Sequence, residues 1–157
     1  MVVGLDITWS PSYPDYMPTY PDHVLLAFCT QIGCALVRIC GGCISHSLKQ
    51  FFDNKDITYV GVHIKHDVKK LRKRLGLEIR NAVDLSELAA DVLHQPRLGA
   101  FGVRRLASEV LLVPFKARSS RMAWVNLAEA DITTDQIECA TIDAYAAYKI
   151  GKRLLGV

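Results

Sequence analysis

No uninterrupted apolar stretch of this 157-residue chain approaches the roughly 20 residues that span a bilayer. The N-terminus also lacks the basic segment and apolar core of a secretory signal, so neither a membrane protein nor an exported one is expected. The setting read from the sequence is nucleus or cytoplasm. Excess charge is small as well: the formal net charge of +3 does not by itself predict binding to a polyanion. Internal repeats and low-complexity tracts are missing. With half of its residues hydrophobic, the chain can bury a sizeable core, and it reads as a single domain over 1–157.

Cysteine is present but not in a pattern that suggests a disulfide framework. The five residues Cys29, Cys34, Cys40, Cys43 and Cys139 are odd in number and sit in a chain without an export signal, so reduced thiols are the expectation. Cys40-Gly-Gly-Cys43 has zinc-like spacing, with Cys29 and Cys34 just upstream. The opposing reading makes Cys29 and Cys34 small apolar residues of paired strands and the two glycines a turn. Alternate strand residues point to opposite faces, so the four sulfurs need not meet, and no zinc is expected.

The hydrophobic pattern orders the chain into strands followed by helices. Val2 to Ile7 reads as a buried strand, and Val24 to Cys29 with Cys34 to Ile39 as an antiparallel hairpin around Gln31-Ile32-Gly33. Between them, Ser10 to Asp22 carries four prolines and three tyrosines, a composition for an extended loop. Ser45 or Ser47 caps a short helix bearing Leu48, Phe51 and Phe52, and Ile57 to Val62 forms another strand. Val68, Leu71 and Leu75 recur at helical spacing before Gly76, which predicts an amphipathic helix from about Lys65 to Leu75. Further helices are expected over Leu85 to Leu93 and Val103 to Leu112. Pro114 to Ala130 is the least regular part, anchored by Trp124. A capping box at Thr133 to Gln136 then opens a last helix that stops at Gly156. Such an order describes a mixed α/β domain.

Three segments of this layout deliver aspartates from structured contexts: Asp6 in the first strand, Asp67 at the start of a helix and Asp143 in the last helix. Phosphodiester hydrolysis by two divalent cations needs hard oxygen ligands converging from separate elements, because the ions sit about 4 Å apart. Each aspartate alone also reads as an ordinary cap or turn residue. Trp9 either lines a substrate groove or packs over the sheet edge. Lys65, Lys69, Lys70 and Lys73, with Arg72 and Arg74, either follow a phosphate backbone or form a solvated helix face. His63 and His66 read as structural or groove-lining, since Mg²⁺ favours oxygen donors.

With these motifs in place the chain resembles the Werner-syndrome-type branch of the 3′ to 5′ exonucleases, the DEDDy subgroup, and especially its small plant members. Asn81 to Leu85, Leu106 to Val110 and Thr134 to Ile137 also fall where that family has similar stretches, so the resemblance covers nearly the whole chain. It implies a ribonuclease-H-like α/β fold, a mixed sheet flanked by helices, with Mg²⁺ or Mn²⁺ as cofactor and DNA or RNA as partner. It also implies that an N-terminal segment often present in the family is not part of this sequence. Asp6, Asp67 and Asp143 match the family's three aspartates as catalytic and metal-binding residues. Thr8 stands in place of the glutamate of the first motif, and Cys139 in place of the tyrosine that positions the attacking water.

A threonine hydroxyl is neutral near pH 7, so three carboxylates remain where the family has four. Glu138 is a poor substitute: five residues from Asp143 on a helix, it is rotated away by about 140°. Asp15 in the proline-rich loop is the other candidate. Losing a positioned acid-base group costs about 100- to 10,000-fold in rate, and with a metal ligand lost as well the barrier should rise by something like 4 to 7 kcal/mol. Two functions follow as expectations. One is a weakened or working metal-dependent exonuclease; the other is a pseudo-nuclease that binds nucleic acid or a protein partner, and the altered site favours the latter.

Overall fold

The computed structural model describes residues 1–10, 23–117 and 131–157. The expected proline-rich loop with Asp15, and the Trp124 anchor, lie outside the described residues. The described elements run in the order β1 (Val2–Trp9), β2 (His23–Cys29), β3 (Cys34–Cys40), α1 (His46–Asp53), β4 (Thr58–Gly61), α2 (Ile64–Leu75), β5 (Ala82–Asp84), α3 (Leu85–Val92), α4 (Val103–Leu111) and α5 (Thr134–Leu155). A short 3-10 turn, Pro96–Ala100, precedes α4.

The strands form one sheet in the order β3-β2-β1-β4-β5. β1 pairs antiparallel with β2 and parallel with β4, with Asp6 opposite Ala27 and Gly4 opposite Val60. Strand alternation sorts the side chains by face. Val3 and Leu5 join Leu26, Phe28, Tyr59, Ile64 and Leu71 on the face covered by α1 and α2. The other face carries Leu25, Ala27 and Val60 against α3, α4 and α5. Gly4 faces α5, and a Cβ there would run into the Ala144 carbonyl and the Tyr148 backbone, so glycine is what lets the last helix lie directly on the central strand.

Local signals explain most boundaries. Ser45 accepts from the Leu48 amide at 3.2 Å and starts α1. Gly76, at φ 62°, ends α2 in the left-handed conformation. Thr133 and Gln136 form the expected capping box, at 2.8 and 3.2 Å. Phe28, Phe51, Phe52 and Tyr59 pack edge-on and tilted, with ring centroids 5.1 to 5.6 Å apart. The Tyr59 hydroxyl donates to the Phe51 carbonyl, and burial pushes its pKa up to about 12.

The cysteine expectation needs one correction. Cys29 and Cys34 are joined in a disulfide across the β2–β3 hairpin. The tight turn is the reason: Thr30 N donates to Gly33 O at 2.9 Å, which leaves the two cysteines directly opposite with Cα atoms 4.2 Å apart. Cys40 pairs with His23 at the far end of the same hairpin, about 20 Å away along seven-residue strands. The two cysteine pairs therefore cannot join in one four-thiolate site. Cys40 and Cys43 are free and exposed.

Candidate active site

The first motif lies in β1. Asp6 and Thr8 share the strand face that α5 covers, and the Thr8 hydroxyl donates to Asp6 Oδ2 at 3.3 Å. Trp9 has the opposite parity. It packs with the core under α1 and α2, its indole Nε1 donates to Asp67 Oδ1 at 3.0 Å, and Lys70 Nζ sits 4.2 Å from its ring centroid. The Trp9 ring is thus held at the sheet edge by partial packing and by these two contacts.

Asp67 belongs to the first turn of α2, where the helix dipole favours a carboxylate. Burial nonetheless raises its pKa, opposed by the Trp9 hydrogen bond and by nearby His66 and Lys70. The start of α2 is organised by Asp84, which sequence reasoning passed over. Asp84 Oδ1 accepts from the His63 and Ser86 amides at 3.2 and 3.1 Å and from the Ser86 hydroxyl at 2.5 Å, while Oδ2 accepts from the Lys65 amide at 3.3 Å. One carboxylate thus caps α3 and holds the left-handed His63 that leads into α2. Burial pushes Asp84 upward, but the hydrogen bonds from Ser86, Lys65 and His63 outweigh it and hold the carboxyl below the ordinary range.

Asp143 is buried in α5 at 3% side-chain exposure, and a cation meets it there: Arg104 Nε lies 2.7 Å from Oδ1. The same guanidinium reaches Cys139 Sγ at 3.4 Å and the carbonyls of Lys116 and Ala117 at 3.0 and 3.4 Å. Cys139 in turn sits 3.9 Å from Asp143 Oδ2, one helical turn away. Around this group opens a cleft of about 450 Å³, lined by Val103, Arg104, Ser108, Phe115 and Asp143 among others. Arg104 was not singled out in the sequence. Its only signal was the pair Arg104-Arg105 opening α4, and the two diverge, since Arg105 stacks on Phe101 at 3.9 Å.

The basic residues of α2 divide in the same way. Lys65 makes a two-oxygen contact with Glu87 at 2.8 and 2.9 Å, Lys70 covers Trp9, and Lys69 and Lys73 are exposed. Glu138 is exposed too, as helix geometry required.

Two hard cations need several carboxylate oxygens turned toward a common point. Here Asp143 is turned to Arg104, Asp67 to Trp9 and Asp6 to Thr8. Among the described residues no three His, Cys, Asp or Glu side chains converge to hold a metal ion. The carboxylates as arranged do not fit a pair of divalent ions.

The mixed sheet with helices on both faces defines a ribonuclease-H-like α/β domain. Residues 2–156 match the 3′–5′ exonuclease family, and the chain belongs to it. Two curated relatives come from Arabidopsis thaliana. The protein RISC-interacting clearing 3′–5′ exoribonuclease 1 is 28% identical over 107 residues, covering 68% of this chain and 52% of its own length. A 3′–5′ exonuclease is 28% identical over 155 residues, covering 97% and 52%. The chain thus spans about half the length of the curated relatives it matches. In fold it is similar to Escherichia coli RNase D, with a TM-score of 0.78 at 20% identity over 99% of this chain and 39% of that one. Brucella melitensis NrnC bound to pGG gives 0.77 at 16% identity over 99% and 72%.

Proposed function

We propose that this chain is a Werner-type 3′–5′ exonuclease domain of DEDDy descent, a single unit over 1–157, whose hydrolytic step is lost or severely weakened and whose remaining role is binding. The observation that carries this reading is the Arg104–Asp143 ion pair. A carboxylate committed to a guanidinium at 2.7 Å, with both groups nearly buried, is not available to a metal without breaking a desolvated pair. Thr8 and Cys139 act in the same direction. Thr8 donates a hydrogen bond to Asp6 where a glutamate would add a negative charge, and Cys139 offers a thiol where a phenol would aim water.

Nucleic acid is the partner this reading favours, with a protein partner as the other possibility for the same surface. It draws support from the relatives: one carries exoribonuclease in its name, and NrnC has been seen with pGG and with Mg²⁺. Lys69 and Lys73 on the outer face of α2, beside Lys65, Lys70 and Trp9, are the residues assigned to the nucleic-acid contact. A setting in nucleus or cytoplasm goes with this role. The second reading, an active Mg²⁺- or Mn²⁺-dependent exonuclease on DNA or RNA, rests on the retention of Asp6, Asp67 and Asp143.

Incubation of the purified chain with labelled single-stranded DNA, recessed-end DNA and RNA, with Mg²⁺ or Mn²⁺, separates the two. Negligible digestion is expected. Robust digestion that disappears in Asp6→Ala would establish the second reading instead.

A further inference from the structure

A second cleft lies on α5 away from the Asp143 group and shares no lining residue with it. It encloses about 400 Å³ between the outer side of α5, the tip of the β2–β3 hairpin at Gln31 and the end of α4 at Leu111. Tyr145, Lys149 and Lys152 follow one another at spacings of four and three, which sets them in one stripe along the helix, with Arg153 beside it. By helix rise, Lys149 is about 9 Å and Arg153 about 15 Å along the axis from Asp143.

The composition of this stripe calls for a ligand. Residues 144–157 contain no Asp or Glu, and among the described residues Lys149, Lys152 and Arg153 make no ion pair. The hairpin tip Thr30 to Gly33 brings no acid either, and Glu109 on α4 is taken by Arg97 at 3.1 Å. Favourable placement near the helix C-terminus accounts in part for Lys152 and Arg153, since cations are stabilised in the last turn. It does not account for Lys149, more than a turn from the end. Nor does it explain Tyr145, a residue 43% exposed whose ring is flanked by Lys149 Nζ at 5.9 Å and by the buried Tyr148 at 6.5 Å. Three cations without acids beside a partly exposed aromatic ring suit a ligand that alternates phosphate with a stackable ring. Acidic peptides would satisfy the cations alone, and an apolar partner would strand them.

We infer that the outer face of α5 is a contact site for single-stranded nucleic acid, in which Lys149, Lys152 and Arg153 engage phosphates and Tyr145 stacks a base. For its ligand class the inference rests on the nucleic-acid reading above, but it uses none of the same residues. Aromatic stacking is tolerant of base identity and phosphate contact is sequence-independent, so the site holds a strand without reading it. A chain that no longer cleaves would then keep a strand by this face.

The test is fluorescence anisotropy of a labelled oligothymidylate with the full chain in EDTA, titrated over a range of salt. The combined Lys149→Gln, Lys152→Gln and Arg153→Gln variant should weaken binding and lower the log–log salt slope by about 2, at about 0.7 per phosphate contact for single strands. Tyr145→Ala should weaken it about 5- to 150-fold, the span expected for one stacked base, while Tyr145→Phe should bind as the wild type does. All four positions lie on the cleft surface, and circular dichroism checks that the variants fold. Binding unmoved by these changes but lost in Lys69→Gln with Lys73→Gln would overturn the α5 site and leave the α2 contact standing. Displacement by thymidine monophosphate at matched nucleotide concentration would mark a mononucleotide pocket and overturn the strand contact. A wild-type chain that binds no oligonucleotide would overturn both assignments of nucleic-acid contact, whatever the digestion assay reads.

Discussion

Arg104 and Asp143 concentrate the chemistry of this chain into one pair. Both side chains are nearly buried, at 12% and 3% exposure, so each has given up water for the other. Removing one partner from such a pair leaves an uncompensated buried charge, which costs about 3–5 kcal/mol. Arg104→Ala should therefore lose about that much in urea denaturation, with the Lys116 and Ala117 carbonyls also deprived of a donor. The double change Arg104→Met with Asp143→Leu removes both charges and should recover most of the loss, because a buried pair is often no better than apolar residues of similar volume. A double change as damaging as the single one would mean that the carbonyl contacts, not the ion pair, hold this region. None of this was visible in sequence. Asp143 could be singled out by its motif, but its partner is 39 residues away on another helix, and no local period ties position 104 to position 143.

At the scale of elements, two carboxylates at the α2 entrance respond to their surroundings in opposite directions. Asp84 sits below the ordinary range, held there by Ser86, Lys65 and His63 against the upward push of burial. Its contribution to stability is therefore fully present above the unfolded-state value near about 3.9 and is lost as pH falls through the folded one. Asp67 is raised by burial, so its ionised form is held less well in the folded chain than in the unfolded one and its charge adds no stability. At pH 7, Asp84→Asn should lower Tm, since an amide cannot accept at all the positions the carboxylate does. Asp67→Asn should leave Tm equal or higher, because the amide oxygen still accepts from Trp9. The Asp84→Asn deficit should also shrink at acid pH, which a series of melts would follow.

The elements themselves were largely legible. Strands β1 to β4, the helices, the Ser45 cap and the Thr133 to Gln136 box follow from periodicity and end signals, which depend on neighbouring residues only. What escaped was set by the sheet. β5 has three residues, too few for a period, and exists because Val83 lies beside Val60. Asp84 escaped with it, since its role is to receive donors from the start of α2. The disulfide was also missed: counting cysteines addresses a framework, whereas Cys29 and Cys34 meet because one turn sets their register.

For the whole molecule, fold and family are shown, the weakened site is our proposal, and Thr8 and Cys139 bear on different parts of it. Function lives in the site rather than in the fold, so the retained architecture makes repair a test. Thr8→Glu supplies a carboxylate beside Asp6, and Cys139→Tyr supplies a phenol one turn from Asp143. Neither replaces what the other supplies, since charge for metal assembly and aim for the attacking water are separate requirements. The wild-type chain should cleave labelled DNA or RNA slower than an intact site by about 10³- to 10⁵-fold, the rate equivalent of a barrier raised by 4 to 7 kcal/mol. Thr8→Glu with Cys139→Tyr should recover detectable cleavage dependent on Mn²⁺ or Mg²⁺. Thr8→Glu alone should recover more than Cys139→Tyr alone, because a water has nothing to be aimed by until the ions are held. Arg104 sets the ceiling: while it keeps Asp143 at 2.7 Å, the repaired site must compete with a buried ion pair for one of its ligands. Adding Arg104→Gln to the double variant should therefore raise the rate again and lower the Mn²⁺ concentration needed for half-maximal cleavage. A triple variant that folds, binds oligonucleotide and still cleaves nothing would show that cleavage depends on more of this site than these three positions control.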